Sequence, residues 1–250
     1  MDDIASPSGR SGQQGDMLDP VVVPRASEIL AAKLRDIILS GRIATGGALP
    51  TERELVAQSG LSRASVREAL RVLEVEGLIT TRVGRSGGSI VTLPGRASVA
   101  RSLELFVRSQ GIRLEALLEC RIGVEPLLAS LAARKRTDAQ LEEMKNIHEQ
   151  FAASIDDVPK YKKLNLDWHL SVARASGNEP LIAFMEAISQ PILAASNYQM
   201  VTTDEARQEA VRTHAWILRA IERQDAKAAF SRMERHVSAY SALAREALAA

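Results

Sequence analysis

Cysteine is almost absent from this chain of 250 residues: the one present, Cys120, can neither close an internal disulfide nor build a cysteine-rich zinc site. That economy suits a reducing compartment, and the cytoplasm is the expected location. Net charge is almost absent too. Thirty-two Lys and Arg against 31 Asp and Glu leave a formal +1, so no global basic excess marks a nucleic-acid partner, and any polyanion site must be local. No stretch of about 18 uncharged apolar residues occurs, which excludes a membrane-spanning helix. Residues 1–22 are rich in Ser, Gly, Gln and Asp and lack the apolar run of a signal peptide, so they read as a disordered tail.

The chain is long enough for two domains, each with its own core. From Arg25 to Ser40, Ile29, Leu30, Leu34, Ile37 and Ile38 recur at helical spacing before Gly41. Thr51 with Glu54 three residues on forms a capping-box pattern for a second helix to about Gln58. Ser59-Gly60-Leu61 is a tight turn, Ser62 a cap, and Arg63–Glu76 a third helix stopped by Gly77. Two β-prone runs follow, Leu78–Arg82 and Ser89–Thr92, around the glycine-rich Val83–Gly88. After Pro94-Gly95 the β signal disappears, and seven amphipathic helices follow with no internal repeat. The expected organisation is a three-helix and β-hairpin domain over residues 23–94, a linker over 95–100, and an all-α bundle over 101–245. The fold class is mainly α.

Helix, tight turn, helix and hairpin is the order of a winged helix-turn-helix, whose second helix of the pair enters the DNA major groove. Arg63 and Arg67 lie one turn apart on the third helix, and Arg71 continues their stripe. Between Arg25 and Pro94 there are ten Arg or Lys against seven Asp or Glu, the local excess missing from the whole. Arg82 and Arg85 sit beside the wing glycines, Gly87 among them, where a bare backbone can approach a minor groove. An arginine-lined solvated helix with a glycine turn explains the composition equally well. The order of residues favours DNA. Leu-Pro-Thr-Glu-Arg-Glu-Leu, Leu-Ser-Arg-Ala-Ser-Val-Arg-Glu-Ala-Leu, Leu-Glu-Val-Glu-Gly-Leu-Ile and Gly-Arg-Ser-Gly-Gly-Ser-Ile-Val, between Gly46 and Val91, resemble the DNA-binding domain of the GntR family of bacterial regulators. The resemblance implies operator contacts by Arg53, Arg63 and Arg67, helped by Ser62, Ser65 and the wing.

In the second domain, Asn165 and His169 are four apart and share a helical face. His214 and His236 are equidistant from Asp225 in the expected turn Arg223-Gln224-Asp225, so an antiparallel hairpin brings them level. Three imidazoles converging in a bundle suit zinc or another borderline divalent ion. Three separately satisfied core histidines fit the same spacing. His148, beside Glu149, reads as a surface residue. Glu119-Cys120-Arg121 through Glu125-Pro126, Asn165-Leu166-Asp167-Trp168-His169, His214 to Asp225 and Met233-Glu234-Arg235-His236 are similar to the FCD effector domain of the FadR subfamily. That resemblance implies a divalent metal, most simply zinc, on Asn165, His169, His214 and His236, with Arg121 contacting the carboxylate of a small metabolite. Asn165 stands where Asp is common, which removes one anionic ligand and weakens the expected site. Trp168 replaces a usual Phe and adds bulk near the pocket. Arg121 could instead pair with Glu125 one turn along its helix.

The expected function is therefore a DNA-binding transcriptional regulator, not an enzyme. Its operator affinity would be set by a carboxylate metabolite at a metal-containing bundle, and a homodimer would read double-stranded operator DNA. The alternatives are a metal-free ligand-binding regulator with structural histidines, or a metal-dependent hydrolase, for which no motif supplies a general base.

Overall fold

The computed structural model describes residues 23–82, 88–195 and 203–249. The chain divides between Leu93 and Pro94 into two units. In the first, α1 (Ala26–Leu39), α2 (Glu52–Ser59) and α3 (Arg63–Val75) precede β1 (Ile79–Arg82) and β2 (Gly88–Val91). Leu30, Leu34 and Ile38 of α1 bury against Leu55 of α2, Val66, Leu70 and Leu73 of α3, and Ile79 and Val91 of the hairpin.

Local sequence sets these boundaries. The Thr51 side chain accepts from the Glu54 N–H while Glu54 accepts from the Thr51 N–H at 2.8 Å, closing the capping box of α2. Gly60 ends α2 in the left-handed region, φ 70°, which lets the chain turn at once into α3. Gly77, φ 73°, ends α3 in the same way. The Leu78 N–H reaches the Leu73 carbonyl and the Gly77 N–H reaches that of Glu74, so two orphan carbonyls are satisfied and Leu78 is pulled into the core. The strands are antiparallel from Ile79 opposite Val91 to Arg82 opposite Gly88. Arg35 of α1 donates to both Glu76 oxygens, at 2.9 and 2.5 Å, fastening α1 to the end of α3.

The second unit is helical among its described residues: α4 (Arg96–Ser109), α5 (Leu114–Lys135), α6 (Asp138–Ala153), α7 (Val158–Ala175), α8 (Glu179–Ala195), α9 (Asp204–Glu222) and α10 (Ala226–Ala249). Residues 96–100, expected as linker, are the first turns of α4. Gly95 takes extended backbone as its N-cap, and Arg96 pairs with Glu179 and Glu186 of α8, so this segment is ordered by packing within the unit. Helix α5 lies at the centre, against α7, α8, α9 and α10. Ala129, Ala132 and Ala133, fully buried, present small side chains to its neighbours, and buried Arg121 and Glu125 interrupt the apolar interior.

Helices α9 and α10 form an antiparallel hairpin. Its turn is built by Gln224 at φ 57°, with the Asp225 N–H donating to the Ala220 carbonyl and the Asp225 carboxylate capping Ala228 N–H at 2.9 Å. Residues equally distant from this turn therefore meet.

Candidate functional site

In the first unit, the expected DNA-facing residues Arg53, Arg63, Arg67 and Arg82 are exposed, and so is Arg71. None of the ion pairs among the described residues uses these five. By contrast, the acids of α3 near its C-terminal end are committed to the fold: Glu76 to Arg35, and Glu74 to the Thr81 N–H at 2.9 Å. The amino-terminal half of α3 thus presents Arg63 and Arg67 with one exposed acid, Glu68, between them and Arg71, while Glu74 and Glu76 are drawn off elsewhere. Ser62 caps α3, accepting from the Ser65 N–H at 3.2 Å, with the two hydroxyls 3.0 Å apart. Arg85 and Gly87 lie outside the described residues.

In the second unit, α7, α9 and α10 bring His169, His214 and His236 together, with one potential ligand atom from each within 4.8 Å of the others. The Nε2 atoms of His214 and His236 are 2.9 Å apart, and those of His236 and His169 are 3.3 Å apart. Nitrogens held tetrahedrally at 2.0–2.1 Å from zinc lie about 3.3 Å from one another, so a small divalent ion fits the set with slight adjustment. His214 Nδ1 is buried with no hydrogen-bond partner among the described residues.

Burial lowers the pKa of all three rings. His236 falls to about 3, through burial first and then the neighbouring His169 and Arg121. His214 is pushed well below its ordinary value by burial and then by the rings of His236 and His169. For His169, burial outweighs the upward pull of Glu125, and Arg121 adds to the lowering. All three are therefore neutral near pH 7, the form that ligates metal.

Glu125, on α5, is the residue the sequence reading left without a metal-site role. Its Oε2 lies 2.5 Å from His169 Nδ1, and its other oxygen pairs with Arg121 Nε. Burial alone would raise its carboxyl, but the Arg121 guanidinium and the His169 ring offset that and hold it well below the usual carboxylate range. The Glu125–His169 contact is close but bent out of hydrogen-bond geometry; the carboxylate charge beside Nδ1 still favours the proton there, which leaves the Nε2 lone pair for the cluster. Spacing did signal the Arg121–Glu125 pair. What no spacing within α5 could show is that α7 packs His169 against it.

The cluster opens on a cavity of about 370 Å³, whose wall includes Asn165, His169, His236, Arg121, Trp216, Tyr240 and Arg232. Asn165 joins the histidines at this wall one turn before His169. Arg121 takes both roles weighed for it, pairing with Glu125 and lining the cavity, with its guanidinium carbon 5.6 Å from the Tyr240 ring centre.

Trp168 brings its bulk near the pocket from the core side: it is fully buried and stacks on His214 at 3.9 Å between ring centres, backing the cluster. One expectation needs correction. His148 is half-buried rather than on the surface, with its ring 6.5 Å from that of His214 and burial lowering its pKa.

Residues 26–87 match the family of bacterial regulatory proteins called gntR, and residues 116–239 match the FCD domain. The chain is 28% identical over 230 residues to the HTH-type transcriptional repressor NanR of Klebsiella aerogenes, an alignment covering 89% of this chain and 86% of the relative. To the Escherichia coli protein of that name it is 29% identical over 232 residues, again covering 89% of this chain and 86% of the relative. Among solved structures it resembles Streptococcus agalactiae GntR, with a TM-score of 0.63 and 26% identity over 86% of this chain and 98% of that one. With a winged helix-turn-helix ahead of a helical FCD domain, the chain belongs to the GntR family and is a DNA-binding transcriptional regulator rather than an enzyme.

Proposed function

We propose that this regulator is a member of the FadR subfamily that acts in the cytoplasm as a homodimer. Its operator affinity is set by a small carboxylate metabolite bound beside a divalent metal, zinc being the simplest choice. The observation that carries the reading is the meeting of three neutral histidines, two of which, His169 and His236, line a cavity that Arg121 also lines. Asn165, His169, His214 and His236 would hold the metal, which supplies a positive centre for an anion. Glu125 orients His169, and Arg121 supplies a fork that matches a carboxylate. Arg53, Arg63, Arg67 and Arg82, with Ser62, Ser65 and the wing residues Arg85 and Gly87, contact double-stranded operator DNA. The exposure of the four arginines of this set that lie among the described residues, without ion-pair partners there, supports that role. Both NanR relatives are named repressors, which favours repression here as well.

For regulation, the metabolite must bind one arrangement of the dimer better than the other, since equal affinity for both shifts nothing. Elemental analysis of protein purified without chelator, beside a His214→Ala/His236→Ala variant, tests the metal. One equivalent in the first and none in the second is expected. Negligible metal in both after incubation with zinc would leave the metal-free reading, which the hydrogen-bonding distances between the imidazoles also suit.

A further inference from the structure

The cavity wall holds two cations, Arg232 and Arg235, apart from Arg121, whose charge Glu125 already balances. Arg232, His236 and Tyr240 follow one another at four-residue steps on α10, so they share a face, each step rising about 6 Å along the axis. All three line the cavity. Arg121 sits over Tyr240, on one side of His236, while Arg232 lies one turn to the other side, and Arg235 lines the cavity with it. Arg232 spends one of its five donors on the Trp216 carbonyl. Neither Arg232 nor Arg235 has an acidic partner among the described residues. The one acid in the cavity wall, Glu209, is already engaged by Arg212 at 2.9 and 2.7 Å and by the Thr213 hydroxyl at 3.3 Å. Two like charges three residues apart on a helix repel, a cost that a bound anion removes. Beside them Trp216, 46% exposed, brings apolar surface to the cavity wall.

We propose that Arg232 and Arg235 form a second anionic subsite, and that the effector is a dicarboxylate. One carboxylate lies at Arg121 and the histidine cluster, the other at Arg232 and Arg235, and the carbon chain between them runs along Trp216. This inference rests on the carboxylate reading of the cavity and narrows it to a dianion.

Matched pairs of equal carbon count isolate the second charge: succinate against butyrate, and glutarate against pentanoate. Titration calorimetry on the full chain incubated with zinc is expected to show at least one dicarboxylate binding about tenfold more tightly than its partner. In Arg232→Gln/Arg235→Gln that ratio falls to near one while monocarboxylate affinity is kept. Arg235→Gln alone, at an exposed position that leaves the fold intact, lowers the ratio part of the way. Monocarboxylate binding with no gain from the second carboxylate overturns the subsite and leaves the carboxylate reading standing. A ratio that survives in the double variant overturns it equally. If no acid of either kind binds, the carboxylate reading falls and takes the subsite with it.

Discussion

Replacing Glu125 with Gln tests whether the histidine cluster is held for metal, because the change is nearly isosteric and acts on a single proton. Glu125 is 2% exposed and stands between the Arg121 guanidinium and His169 Nδ1. A glutamine can keep its carbonyl toward Arg121, which turns its NH2 toward His169. Nδ1 must then accept, the ring proton moves to Nε2, and the lone pair meant for metal is lost. Zinc affinity is expected to fall about 10- to 100-fold, or ~1.4–2.7 kcal/mol, the range found when the partner of a ligating histidine is removed. Competition against a chromophoric chelator measures it. Stability responds separately. Glu125→Leu leaves the Arg121 cation buried without its counter-charge and should cost about 3–5 kcal/mol. Arg121→Met/Glu125→Leu, which removes both charges, should recover much of that loss. A folded Glu125→Gln protein with unchanged zinc affinity would refute the tautomer argument. A double variant no more stable than Glu125→Leu would refute the electrostatic one.

Three further outcomes follow from the same structure. The unfolded chain protonates its histidines below their ordinary 6.5, whereas the folded cluster holds them neutral, His236 down to about 3. Metal-free protein should therefore keep its full stability above pH 6.5 and lose it on acidification, by up to about 1.4 kcal/mol per pH unit for each histidine. Urea titrations at several pH values should show this, with a shallower slope in His236→Gln; an equal slope would count against it. Arg67→Ala should weaken operator binding by about 1–3 kcal/mol, more than it weakens binding to random DNA, as read by fluorescence anisotropy at fixed salt. Gln224→Gly should raise stability by about 0.5–1 kcal/mol in denaturant melts, since φ 57° strains a side chain and not glycine. A loss of stability would show that the Gln224 side chain matters more than its backbone.

Features that depend on local rules were legible in the sequence. Thr51 and Glu54, Gly60, Ser62 and Gly77 set the reader unit through caps and turns, each needing only its neighbours. The approach of His214 and His236 could be read because an antiparallel hairpin has one adjustable quantity, the position of its turn. Features that depend on how distant helices rotate against one another could not be read. Whether Glu125 faces His169, whether Trp168 lies behind the cluster or in the cavity, and how deep His148 sits are all set by packing among α5, α6, α7 and α9. The linker expectation failed for a related reason. Pro94-Gly95 does break the chain, but Arg96 finds Glu179 and Glu186 on α8, some eighty residues on, and the helix starts at once.

The placement of the two tryptophans gives the molecule optical probes of its own. The chain has only these two, one stacked on His214 and the other in the cavity wall. Indole emission responds to nearby charge and to contact with water, so Trp168 should report what happens to the imidazole against it, and Trp216 the filling of the cavity. Replacing either with Phe separates the two signals. Events at the cluster and in the cavity can then be followed in unlabelled protein, and their order in time established by rapid mixing.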